Sequence, residues 1–198
     1  MAPLSRGREL LAAAVGYALA SAAPVTPQLL PRATPCPGWD LARLLDHVSE
    51  SMGVVHEALV TGGTGRRPGP PGYPGPAPGP VVRLREHATR LLGACGPAGA
   101  AGRPVSIAGR ELTASLVAVA GAIELTVHGW DISVGCGACR PVPPGLAVIL
   151  LPVAQLLIPP DTRPGLFADP VQLAGPAGAG DQLVAFLGRH PRPPGSAG

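Results

Sequence analysis

The sequence predicts an all-α protein: a four-helix bundle with short extra C-terminal helices and a Pro/Gly-rich loop. Three observations carry that prediction. The 198 residues suit a single domain, 1–198, with room for a sizeable core. Hydrophobic residues make up 46% of the chain but aromatic ones only 3%, so the core must be built from Leu, Val and Ala. That composition suits packed helices better than a β-sandwich. Finally, apolar residues recur at helical spacing in several stretches, separated by segments in which Pro and Gly break the pattern.

The first helix is Ala-rich and covers residues 8–22. The start of the chain imitates a secretory signal, with basic residues, an apolar run and small residues at its end. Glu9, however, falls where such a signal should be purely basic, so the segment is read as a bundle helix and the protein as cytoplasmic. A connection follows in which Pro24, Pro27, Pro31, Pro35 and Pro37 forbid a continuous helix. The second helix runs from about 40 to 60, with Leu41, Leu44, Leu45, Val48, Met52, Val55 and Leu59 at helical spacing. Residues 61–80, fourteen of the twenty being Gly or Pro, are expected to form a mobile loop within the one domain.

The third helix covers 81–95, with Leu84, Ala88, Leu91, Leu92 and Cys95 on one face. A short extended piece lies near 103–112, and the fourth helix spans about 113–134. A weaker helix follows at 145–157. The last is short, 181–189, with Asp181 as its N-cap and Gly188 near its end. The tail 190–198 is expected to fray.

Charge excludes some functions. All 15 basic residues are arginine, the net charge is only +3, and neither an Arg stripe nor aromatic residues interleaved with basic ones are present. Nucleic-acid binding is therefore not expected. The longest apolar run, 146–158, is short and contains Pro152, so no membrane span is expected either. No G-x-S-x-G, P-loop or strand-borne G-x-G-x-x-G occurs.

The chemistry concentrates in "IELTVHGWD", residues 123–131. Glu124 and His128 lie four apart on an apolar helix, about 40° apart around its axis, and so share a face. Burying a carboxylate and an imidazole together is costly unless something between them compensates. A cation is one candidate, and a plain Glu–His hydrogen bond inside the bundle is the other, since one E-x-x-x-H spacing is a weak signal by itself. A tetrahedral shell needs further ligands from another helix. His47 and His56 on the second helix are the candidates. Measured from the centre of that helix's apolar stripe, His56 falls about 60° away and His47 about 120° away, so periodicity leaves the choice open. A competing pair is Cys136 and Cys139, a C-x-x-C that suggests redox chemistry or half of a zinc site. Cys36 and Cys95 read as structural.

Two stretches, "TPCPGWDLARLLDHV" (34–48) and "GAIELTVHGWDIS" (121–133), together resemble the signature segments of the mycothiol-dependent maleylpyruvate isomerase-like proteins, of the DinB-like helical metalloenzyme superfamily. The closing "DQLVAFLGRHP" (181–191) is similar to the end of the short, single-domain members, so the resemblance spans about 8–191. It implies a DinB-like four-helix bundle with a divalent metal, usually zinc, in its core. It selects His47, Glu124 and His128 as the metal ligands. It also implies mycothiol as a possible cosubstrate. Two nitrogens and one carboxylate leave a coordination position open, as catalytic sites do. The Pro/Gly loop and the "CGAC" pair depart from the family pattern.

The expected function is a metal-dependent isomerase or thiol transferase. It would activate a low-molecular-weight thiol, or a substrate carbonyl, against a small electrophilic substrate. Asp131 is a candidate for orienting His128, or equally for a surface pair one turn along the helix. The alternative is a non-catalytic metal-binding or redox-sensing module built on Cys136 and Cys139.

Overall fold

Caps and prolines set where the helices begin. Helix α1 is Gly7–Ala22, and after a 3-10 turn at Pro27–Leu29 comes α2, Leu41–Thr61. Asp40 starts α2 by accepting the Arg43 backbone N–H at 2.8 Å. Helix α3, Pro80–Ala94, opens on a proline, whose fixed φ suits the first helical position. Strands β1 (Pro104–Ile107) and β2 (Arg110–Thr113) pair antiparallel, with Ile107 opposite Arg110. Helix α4, Ala114–Gly135, is capped by Thr113, which accepts from Leu116 N at 3.2 Å. Helices α5 (Pro144–Leu157) and α6 (Ala179–Phe186) complete the order. This computed structural model describes residues 6–65, 78–95, 102–107, 109–161, 163, 165 and 167–191.

The core is the bundle α1–α4. Helix α1 packs along α4, α2 packs on both α3 and α4, and α5 and α6 pair with each other beside them. Leu11, Ala14, Val15 and Ala18 of α1 are fully buried, which makes the signal-like N-terminal segment a core helix. Its contact with α4 is close enough that a Cβ on Gly129 would come within 2.9 Å of the Tyr17 ring. Only glycine leaves room there. The Tyr17 hydroxyl donates to the Arg140 carbonyl at 2.8 Å, and burial pushes its pKa up to about 12.

Helix α4 sits at the centre, with 18 of its 22 residues buried. An almost wholly apolar helix is stable only where neighbours cover it. It is long and apolar enough to cross a membrane by length and composition, and 83% of its most apolar window is buried in the protein. Glu124, His128 and Asp131 interrupt its apolar residues without lowering their average below that of a span.

Three boundaries also differ from expectation. Helix α6 starts at Ala179 with Gly178 as its cap, so Asp181 lies in the first turn, where its charge still favours the helix N-terminus. The apolar face of α3 is narrower than expected. Leu84, Ala88 and Leu91 are buried, but Leu92, about 100° further round, is exposed. The extended piece is the β1–β2 hairpin, tied to the end of α2 by Ser106 N donating to Gly62 O at 2.9 Å. Of the loop expected at 61–80, Thr61 closes α2 and Pro80 opens α3, while 66–77 lie outside the described residues, as do 192–198 of the tail.

Candidate metal centre

Helix α2 has two flanks. One faces α3 and carries Asp46, paired with Arg83, and Gly53, against which His87 packs. His56 lies on this flank, close enough to His87 for their charges to interact. The other flank carries His47 and Ser51 and faces α4. An apolar stripe that serves two neighbours places its polar edges toward different helices, which is why angular distance from its centre misleads.

On α4, Glu124 and His128 do share a face. The Glu124 carboxylate lies between two imidazoles: Oε1 is 2.9 Å from His47 Nε2 and 3.2 Å from His128 Nε2. Ser51 Oγ donates to the same oxygen at 3.5 Å. The ligand atoms of His47, Glu124 and His128 all lie within 4.8 Å of one another. The two rings meet edge to face, with centroids 5.0 Å apart, and Trp39 packs edge-on against His47 at 4.8 Å. Two imidazole nitrogens and a carboxylate oxygen, in a partly buried cluster, fit a zinc-type divalent cation and leave one side open.

Behind the cluster lies a second, largely buried set. His128 Nδ1 is 2.9 Å from Asp131 Oδ2, which fixes the ring so that Nε2 faces Glu124. Asp131 is completely buried and is itself held by Arg189, whose Nη2 and Nε lie 2.9 and 3.3 Å from its two oxygens. Cys36 Sγ donates to Asp131 Oδ2 at 3.2 Å and lies 3.7 Å from His128 Nδ1. Arg189 reaches these groups because Gly188, at φ +83, turns the chain at the end of α6. Its missing Cβ would stand 2.8 Å from Ala168.

Burial alone would raise the Glu124 pKa, but hydrogen bonds from His128 and His47 outweigh it and hold the carboxyl well below its usual range. For His128, burial would lower the value. The bonds with Asp131, Cys36 and Glu124 reverse that and raise it well above the ordinary histidine value. Asp131 is lowered against its burial by His128 and the Arg189 charge.

The sign of the pH dependence follows. The metal-free fold gains from the His128 proton in full below the ordinary value of about 6.5, and loses that gain as pH rises through the raised value. A metal bound at Nε2 must displace the same proton, so affinity should strengthen as pH rises through neutrality. Calorimetric zinc titrations in buffers of different ionisation enthalpy should show net proton release at pH 7; none would mean that His128 is already neutral there.

Sequence reasoning missed three members of this centre. Cys36, expected to be merely structural, sits against Asp131 and His128, and Arg189 and Trp39 were not expected at the site at all. Their positions inside the "TPCPGWD" and "LGRHP" blocks were the available signal. Cys136 is half-buried and Cys139 exposed, and among the described residues neither joins a cluster of three or more possible ligands.

A family model described as the mycothiol maleylpyruvate isomerase N-terminal domain matches residues 11–133. No curated protein and no solved structure matches the chain. The matched span contains α2, nearly all of α4, and His47, Glu124, His128, Asp131 and Cys36, whereas Arg189 lies beyond it. With well over half its length matched, this chain belongs to the mycothiol maleylpyruvate isomerase N-terminal domain family.

Proposed function

We propose that His47, Glu124 and His128 hold a divalent cation, zinc by its preference for this donor set, and that the protein is a metal-dependent enzyme of the mycothiol-dependent isomerase or thiol-transferase type. The observation that carries this reading is the Glu124 carboxylate flanked by the Nε2 atoms of two histidines from different helices. Bound there, the cation supplies positive charge that favours the thiolate of a low-molecular-weight thiol such as mycothiol, or polarises a substrate carbonyl.

The chain's own residues prepare the place. Asp131 holds the His128 ring in one orientation, and Arg189 neutralises Asp131 so that the buried carboxylate stays charged. Trp39 limits the freedom of the His47 ring. The centre opens on a cavity of about 540 Å³ lined by Cys36, Trp39, Phe167 and Arg189, large enough for a thiol and a small electrophile together. Addition of the thiol to such an electrophile ends in transfer if the adduct is kept, or in isomerisation if bond rotation and elimination follow.

The test compares two histidines on one helix. His47→Ala should lower zinc stoichiometry and remove turnover on a panel of thiols and electrophiles, whereas His56→Ala, on the α3 flank, should change neither. Full zinc occupancy in His47→Ala would overturn the site.

A further inference from the structure

We propose that the centre opens on a second, apolar chamber, and that this chamber binds the hydrocarbon portion of a neutral, hydrophobic substrate. The inference rests on the proposed function only for the reacting end of that substrate. It begins with the one stripe of α4 that neighbours do not cover. Leu116, Ala120 and Glu124, spaced four apart, are not buried, and Ala120 is exposed although it lies in the middle of the most buried helix. The stripe lines a cavity of about 570 Å³ whose lining also includes His47.

The remaining walls are apolar. Val54 of α2, Leu112 of β2, and Ile158 and Phe167 from the segment after α5 face the same space. Val54 is 48% exposed and the others are only partly buried, so several large hydrophobic side chains share one solvent-accessible concavity. Such surface gains free energy when an apolar ligand covers it. An apolar cavity of several hundred Å³ with a few polar groups in its lining has the form of a small-molecule site.

Charge narrows the class. The ionisable side chains among its lining residues are His47, Glu124 and Glu50; none of the described residues lining it is an arginine, and the chain contains no lysine. A carboxylate on the substrate would enter a lining that already holds Glu50 and Glu124 and offers no arginine or lysine to pair it, and is disfavoured. The arginine of the centre, Arg189, lines the other cavity and is already engaged by Asp131. The two cavities thus meet at His47, Glu124 and Phe167 with different chemistry on each side.

The experiment is calorimetric titration of the full chain, as purified and after chelation, with the n-alkanols from butanol to octanol and with octanoate. Each added methylene should tighten binding about three- to fourfold in both forms of the protein. In the chelated protein, octanoate should bind at least about tenfold more weakly than octanol, and Glu50→Gln should narrow that gap. Ala120→Trp should block octanol while leaving zinc stoichiometry unchanged. Val54→Trp, on the facing wall, repeats the test from a second helix should the first variant fold poorly.

Binding that does not depend on chain length, or octanol binding unchanged in both tryptophan variants, would overturn the chamber. So would octanoate equal to octanol in the chelated protein. A protein that binds alkanols with the expected increments but holds no zinc would sink the metal reading and leave this one standing; normal zinc content without increments would do the reverse.

Discussion

Glu124→Gln is expected to lower zinc affinity by at least about tenfold and to leave helical content near wild type. Replacing partners that merely orient a ligand costs about 10–100-fold in metal affinity, so removing the charge of a ligand itself should cost no less. The substitution keeps the size of the side chain and an acceptor oxygen, and it sits on the open stripe of α4 rather than in close packing. In the metal-free protein it should weaken the contacts to His47 and His128, at about 1.5–3 kcal/mol, because hydrogen bonds to charged groups are worth that much. Metal stoichiometry, zinc titration and circular dichroism measure these quantities separately. Equal zinc binding in wild type and Glu124→Gln would show that the carboxylate serves only packing.

Asp131→Ala has the largest expected effect on stability. Asp131 is completely buried, and its carboxylate carries hydrogen bonds from Arg189 and Cys36 and a short contact to His128. Removing one partner of a buried ion pair leaves the other charge uncompensated, which costs about 3–5 kcal/mol. Arg189 is that partner, and it also ties the end of α6 to α4, so the loss should appear in urea denaturation as a lower midpoint. Combining Asp131→Ala with Arg189→Met removes the orphaned charge, and the double variant should lose clearly less than the sum of the two single ones. An additive result would mean that the pair is not coupled. Zinc affinity should also fall about 10–100-fold in Asp131→Ala, because His128 is no longer oriented.

The bundle was legible in the sequence because it is written in local patterns. Leu41, Leu44, Leu45, Val48, Met52 and Leu59 recur at the spacing of a helix face, and all are buried. The second and fourth helices begin close to where the sequence puts them, and Asp40 and Thr113 cap them with their side chains. The pairing of Glu124 with His128 is equally local, since residues four apart on one helix have a fixed angular relation.

What periodicity alone left open was the partner across the bundle. It ranked His56 nearer the apolar stripe than His47, and only the family resemblance pointed the other way. In the structure, His47 is the residue that lies beside Glu124. Cys36 and Arg189 were not legible as members of the centre by any local rule, because they lie 95 and 58 residues from Asp131 and meet it only through packing.

The sequence by itself therefore determined the helices, most of their buried positions and the one helix able to carry a buried polar pair. Tertiary structure alone decided which flank of α2 faces α4, that Asp131 is buried rather than exposed, and that the last turn of the chain delivers Arg189 to it. The physical reason is the range of the forces that write each pattern. Hydrogen bonding and side-chain spacing along one helix fix angles within it, whereas the rotation of one helix against another is set by the summed packing of many side chains distant in sequence.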